Sequence, residues 1–396
     1  MPTRERSWRP TRRDLLASSL GTACAAAAGS LPAGGVFSGG SDRIRIGLIG
    51  CGGRGTGAAR QAATWHPAIK IVAMGDLFSD HVTESAQRLE QPLGEQFDCP
   101  PERRFIGHDA WRQVVEADLD AVILAAAPWS RPAHFAAAVA RGLHIYCERP
   151  AAIDIPGMRS ILAAVSDARA RGLVVVSGLA GRHHAPTIET IARIHDGAIG
   201  PTVGAVCSAN LGLPWHRPMR SSWSADAFRH RNWVTDLSLS GGPLVESHLD
   251  ALDRGLWVMN DACPVTASPT ASNGGLAIRY RFADGRELHA DIMRSAGAAG
   301  QREEIVRGSR GAADLIRHRI VGEQPWQQPE GSVANPWQAC MGSFVNALVT
   351  GGRGDGGIPL ARSNLVALLG RIAIESGHDV NFRDVAVQTG GTTDII

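Results

Sequence analysis

The chain has 396 residues, 44% of them apolar and 20% charged. That length suits two domains, and that composition excludes a chain that is mainly disordered. Seven cysteines are too few for a disulfide scaffold, and a net charge of +2 gives no reason to expect a nucleic-acid partner.

Residues 1–40 read as an address rather than as fold. Arg4, Arg6, Arg9 and the pair Arg12-Arg13 precede an apolar, Ala-rich stretch from Leu15 to about Ala28. This is the charged region and short apolar core of an export signal. The arginine pair before Leu15-Leu16 resembles a twin-arginine (Tat) signal, which implies a periplasmic or extracellular protein. An uncleaved anchor is the alternative, and Cys24 follows a poor lipoprotein box. These residues carry five arginines and two acids, so the remainder has 35 basic and 36 acidic side chains, a net charge of −1. Beyond residue 40 no 18-residue run is apolar and uncharged, so no membrane contact beyond export is expected. The six later cysteines (51, 99, 147, 207, 263 and 340) lack CxxC spacing and mostly fall in apolar runs, as buried thiols do.

Arg43–Ile49 is a short apolar strand that runs into Gly50-Cys51-Gly52-Gly53-Arg54-Gly55, followed by an Ala-rich helical stretch. G-x-G-x-x-G between strand and helix is the context a dinucleotide loop needs. Gly50 allows the tight turn, Gly52 lets a pyrophosphate approach the backbone, and Gly55 lets helix and strand pack closely. The free N–H groups at the helix start would hold the phosphates. Cys51, Gly53 and Arg54 lie in the same loop. A second strand, Ile69–Met74, ends at Asp76, placed to bind a ribose 2′-hydroxyl. Asp76 repels a 2′-phosphate, and Leu77 and Phe78 bring no cation, so NAD is favoured over NADP. Further buried strands at 121–126, 143–147 and 173–177 alternate with helical stretches near 108–117, 132–141 and 157–171. That alternation predicts a doubly wound parallel sheet over residues 42–178.

At Tyr146-Cys147-Glu148-Arg149-Pro150 the chain resembles the Gfo/Idh/MocA oxidoreductases, whose fifth strand of this sheet ends in Glu-Lys-Pro. Ser177-Gly178-Leu179, Arg182-His183-His184, Arg231-Asn232-Trp233 and Ser240 to Glu246 extend the likeness over most of residues 43–380. It is closest to the Tat-exported members, some of which are NAD-dependent glycoside hydrolases. The resemblance implies an N-terminal Rossmann domain and a C-terminal domain with an open, mostly antiparallel sheet over residues 179–380, with residues 381–396 as a tail. Strands at 202–210, 265–267, 276–282, 287–293 and 303–306 agree, and Asp284-Gly285 is a hairpin turn signal. A helix over about 360–376 should return to the Rossmann domain. The resemblance also implies a carbohydrate substrate and a homo-oligomer formed through the sheet face.

Two departures from the family pattern bear on chemistry. The lysine of Glu-Lys-Pro is replaced by Arg149, which can donate hydrogen bonds and charge but cannot serve as a base. Exported relatives often carry histidine where this chain has Asp250. Read as one helix, Glu246, Asp250 and Asp253 share a face at i, i+4 and i+7, and three carboxylates there need a cation. Arg149 and Asp250 are therefore expected to pair, with Asp250 as base and His248 or His183 as substitutes for that role. Arg131 stands where relatives have another histidine. Ala126, Trp129, Glu148 and Arg149 join the expected cofactor residues, and Arg182, His183, Trp223, Arg231 and Asp250 the substrate residues. No His, Cys and acid cluster has metal spacing. A hydride-transferring sugar oxidoreductase with tightly held NAD is the leading reading. A glycoside hydrolase using transient C3 oxidation and a non-catalytic binding protein are the alternatives.

Overall fold

In the computed structural model, residues 43–272, 274–298, 300–331 and 335–390 are described. The segment read as an export signal, with its arginine pair and Cys24, lies outside them. Strands and helices then alternate: β1 (Ile44–Ile49), α1 (Gly53–Trp65), β2 (Ile69–Asp76), α2 (Ser79–Leu93), β3 (Arg104–Ile106) and α3 (Ala110–Glu116). β4 (Ala121–Leu124), α4 (Arg131–Ala140), β5 (His144–Cys147), α5 (Ile155–Ala170) and β6 (Val175–Ser177) complete the unit. The six strands are parallel, in the order β3-β2-β1-β4-β5-β6. Helices cover both faces, so the strands are near-continuous apolar runs and β4 is buried at every residue. The strand order reverses between β1 and β4, and the crevice above their carboxyl ends is where such sheets bind ligands.

The second half begins with α6 (Ala185–His195) and β7 (Thr202–Leu211), then α7 (Ala225–Arg231), α8 (Leu237–Ser240), α9 (Gly242–Glu246) and α10 (Leu249–Val258). β8 (Thr266–Pro269), β9 (Leu276–Arg281), β10 (Glu287–Arg294), β11 (Gln301–Gly308), β12 (Gly311–Asp314), β13 (Arg319–Gly322) and β14 (Trp326–Gln327) follow. The chain closes with α11 (Pro336–Thr350), α12 (Gly357–Ser376), β15 (Val380–Asn381) and α13 (Phe382–Gln388). The nine strands run β14-β13-β12-β11-β7-β10-β9-β8-β15. All neighbours are antiparallel except β7 and β10. β7 and β10 alternate buried with half-exposed residues, so helices cover one face of this sheet and leave the other open.

The two sheets share their helices. The 20-residue α12 is apolar enough for a membrane span by composition, yet most of it is buried within the protein. It packs against α5 and β6 of the first half and against α9, α10, β8 and β9 of the second. The expected return to the parallel sheet is therefore made by a helix that belongs equally to both cores. The six described cysteines are free thiols, five of them buried.

Candidate cofactor and substrate site

The glycine loop has the shape its sequence predicts. Gly50 adopts φ +95°, and a β-carbon there would sit 2.3 Å from the Ala126 backbone N. A β-carbon on Gly55 would lie 1.8 Å from Gly50 O, so only glycine lets α1 start this close to β1. Around Gly52 there is open space, and no side chain caps the start of α1. The first N–H groups of the helix are thus available to an anion.

Asp76 fixes this loop from the end of β2. Its Oδ2 accepts from Cys51 N at 2.7 Å, and its Oδ1 accepts from Phe78 N at 3.0 Å and meets His81 Nδ1 at 3.1 Å. Oδ2, with one partner, has a further lone pair for a ribose hydroxyl. Beside these residues lies a cleft of about 770 Å³. Gly50, Gly52, Gly53, Arg54, Asp76, Ala126 and Trp129 line it, all expected cofactor residues. Cys51 turns its thiol to Gly75 O inside the core and offers only its backbone to the loop.

Glu148 and Arg149 leave β5 in different directions. Glu148 is buried, 2.7 Å from Arg54 Nε, and accepts from the Tyr146 hydroxyl at 3.2 Å. It ties the start of α1 to the end of β5. Arg149 reaches the second half, with Nε 2.8 Å from Asp250 Oδ2 and Nη1 donating to Glu246 O at 2.8 Å. Both members of the pair are partly exposed (25% and 22%), but neither they nor Glu148, expected as site residues, are among those that line the cleft. Asp250 raises the already high pKa of Arg149 and outweighs burial, with Glu246 and Glu148 adding to the effect. Arg149 is a permanent cation.

The shared-face expectation is corrected. The chain breaks at Ser247-His248, leaving Glu246 on α9 while Asp250 and Asp253 lie on α10. Each acid instead has its own arginine: Arg294 is 3.5 Å from Glu246, Arg149 2.8 Å from Asp250, and Arg182 2.9 Å from Asp253.

Four further expectations shift. His248 is fully buried, with Nε2 3.0 Å from Cys207 O, and burial pushes its pKa down to about 4. It packs α10 against β7 and cannot meet a substrate. Arg182 spends its guanidinium on Asp253 and Asp261, at 2.6 to 3.2 Å, and so serves as a brace rather than a substrate contact. His183 bonds Ser343 on α11 at 2.9 Å and, like Arg149 and Asp250, is not among the residues that line the cleft. Arg231 and Trp223 stack on one another at the Asp76 end, where Arg231 binds Asp80 and also covers the Phe78 ring. A cation therefore does stand beside Phe78, brought from a distant segment and neutralised by Asp80.

Sequence reasoning missed several lining residues. His81, five residues after Asp76, could have been found by asking what faces that carboxylate. His108, Trp111 and His134 enter from β3 and the neighbouring helices. His134 is buried beside Trp111, and burial with the Arg131 charge pushes it down to about 3. Arg131, standing in for a family histidine, is itself buried and donates to Pro150 O and Ala126 O. It holds the two loops that flank the site.

No family model matches the chain. Curated relatives match parts of it. "Glycosyl hydrolase family 109 protein 1" of Bacteroides thetaiotaomicron is 33% identical over 116 residues, 29% of this chain and 24% of that protein. An inositol 2-dehydrogenase of Acidothermus cellulolyticus is 29% identical over 172 residues, 43% of this chain and 46% of that protein. The chain thus spans less than half the length of these relatives. Among solved structures, levoglucosan dehydrogenase in complex with NADH and levoglucosan superposes with a TM-score of 0.67 at 16% identity, covering 86% of this chain and 99% of that one. The chain has the Gfo/Idh/MocA fold. The parallel sheet of the first half and the mostly antiparallel sheet of the second are the architecture expected from the resemblance at Glu148-Arg149-Pro150 and from the glycine loop.

Proposed function

We propose that the protein is an NAD-dependent oxidoreductase that acts on a sugar or sugar derivative. The observation that carries this is the Arg149–Asp250 pair, which joins the carboxyl end of β5 to α10 beside a well-formed glycine loop. The loop fits a dinucleotide: Gly52 is open, the start of α1 is uncapped, and Gly50 and Gly55 leave no room for side chains. Gly50 to Gly55 would hold the pyrophosphate and Asp76 the adenosine ribose, while Ala126 and Trp129 wall the cleft. The bound dinucleotide supplies the hydride-accepting chemistry. Asp250 removes the proton of the reacting hydroxyl, and Arg149 stabilises the oxygen as its charge develops. NAD is favoured over NADP because Asp76 repels a 2′-phosphate and the nearby Arg231 is already paired with Asp80.

One observation favours a second reading, glycoside cleavage by transient oxidation at C3: the likeness to the family 109 glycosyl hydrolase protein. The same proton transfers would serve it. Export by the Tat route rests on Arg12-Arg13 and the apolar stretch after them. Assembly as a homo-oligomer through the open sheet face rests on the half-exposed alternate residues of β7 and β10.

The test is to purify the protein, denature it and assay released NAD(H), then to incubate the native protein with a panel of sugars and glycosides. Ketone formation supports oxidation, and free aglycone supports hydrolysis. Absence of released nicotinamide together with failure to bind added NAD overturns both.

A further inference from the structure

The connection between β7 and α8, residues 212–236, crosses from the nine-stranded half to the cofactor cleft. Trp215, Arg217, His230, Arg231 and Trp233 from this one segment line it. The segment is folded on itself. Asn232, buried at 3% exposure, accepts from Arg217 N at 2.7 Å and donates to Arg217 O and Phe228 O, each at 3.1 Å. Arg229 closes its far end on Asp236 at 2.6 Å.

This folded strap is fastened at the end of the cleft where Asp76 stands. Arg231 donates to both oxygens of Asp80, at 2.8 and 2.7 Å, in a bidentate fork. Its guanidinium lies between two rings, 3.9 Å from the Phe78 centroid and 4.5 Å from that of Trp223. The Arg231 side chain is only 8% exposed while that of Asp80 is 41% exposed, so the guanidinium is buried but salt can still reach the fork through its carboxylate. His230, next in the chain, packs on Trp129 at 5.3 Å and on His108 at 6.2 Å. Two neighbouring residues thereby bridge the segments after β2, β3 and β4 at the end of the cleft where Asp76 stands.

Resting on the NAD reading above, we propose that Arg231 and Asp80 are positioning residues that clasp this strap over the bound dinucleotide and set its residence time. A dinucleotide seated between the glycine loop and Asp76 would have the strap over its adenosine half. It could then neither enter nor leave while the fork is closed. The clasp acts as a gate, distinct from Asp76, which acts as a contact. A gate slows entry and exit together, whereas a contact slows exit alone.

The experiment follows NADH binding to the whole protein by energy transfer from its tryptophans, with release started by excess NAD in a stopped-flow instrument. Asp80→Asn removes the fork's charge, and Arg231→Lys keeps a cation but loses the bidentate geometry and the flat stacking surface. Asp80→Asn is expected to raise both the association and the dissociation rate about tenfold or more, with a smaller change in Kd. Arg231→Lys should fall between it and the unmodified protein. In the unmodified protein, moderate salt should accelerate both rates. This salt arm does not depend on either variant folding, and thermal melting of the variants checks that they fold. Unchanged rates in both variants, or a faster release with unchanged entry, overturn the clasp while leaving the NAD reading intact. Failure of the unmodified protein to bind NADH overturns the NAD reading and the clasp with it.

Discussion

Arg149 Nε lies 2.8 Å from Asp250 Oδ2, across 101 residues of sequence, and the same guanidinium donates to the backbone carbonyl of Glu246. One cation thereby holds both α9 and α10 at the end of β5. The break between those two helices separates Glu246 from Asp250, and on α10 itself Asp250 faces Arg149 while Asp253 turns into the core toward Arg182. Asp250 keeps free lone pairs, and its partner cannot deprotonate, so in this pair only the carboxylate can exchange a proton.

Asp250→Asn is therefore expected to abolish turnover of any sugar the unmodified protein oxidises, by about a hundredfold to ten-thousandfold, which is the range for loss of a general base. NADH should still bind, because the glycine loop and Asp76 are untouched. The check is paired: steady-state turnover and fluorescence titration of the same preparation. Retained turnover would remove Asp250 from the chemistry.

Asp76 holds the loop as well as facing the cleft, so its loss should be felt twice. Asp76→Ala removes the acceptor of Cys51 N and Phe78 N along with the ribose contact. NAD affinity should fall by about a hundredfold, or roughly 3 kcal/mol. Asp76→Ser with Leu77→Arg should move preference toward NADP. Calorimetric titration with both dinucleotides decides it, and equal affinity of the unmodified protein for the two would refute the role given to Asp76.

Gly55→Ala probes the closest approach in the site. Its added methyl would sit 1.8 Å from Gly50 O, so β1 and α1 must separate. The expected result is loss of NAD binding with circular dichroism close to that of the unmodified protein and a lowered melting temperature. Unaltered binding would mean that the loop adjusts freely.

His248 supplies a pH dependence. Burial holds its pKa at about 4 in the folded chain, against about 6.5 when unfolded. Above pH 6.5 the ring is neutral in both states and stability is full. As pH falls from 6.5 toward 4 the unfolded chain takes up the proton first, so stability is lost across that window. The loss from His248 is about 3 kcal/mol. His134, held at about 3, adds in the same direction. Urea denaturation at pH 7 and pH 5 should show the decline. His248→Gln, which keeps a donor toward Cys207 O without a titrating ring, should reduce it.

The parallel sheet could be read from the sequence because its strands are buried runs separated by helix-length segments. β3 could not, since its three residues sit at the sheet edge and are only partly buried. β12 to β15 are two to four residues long, too short for a period of two to stand out. In the site, the glycine loop and Asp76 were legible because their spacing is local. The helix break at Ser247-His248 was not, because neither residue is a strong breaker and the polar pattern from Glu246 to Asp253 fits one helix. Pairings such as Arg231 with Asp80, 151 residues apart, leave no mark in the sequence at all.

The parallel sheet leans on residues far along the chain. Trp65 at the end of α1 donates to Asn346 on α11 at 2.8 Å, Gln338 donates to Gln61 O at 3.2 Å, and a β-carbon on Gly342 would strike the Trp65 ring at 2.4 Å. Beyond α11, the Gly354–Gly356 backbone hydrogen-bonds with Val175 on β6. During synthesis the glycine loop therefore emerges some 300 residues before the helix that braces it. A chain stopped before α11 would leave Gln61 and Trp65 of α1 without their partners on that helix. A fragment ending at residue 178 should therefore aggregate rather than bind NAD.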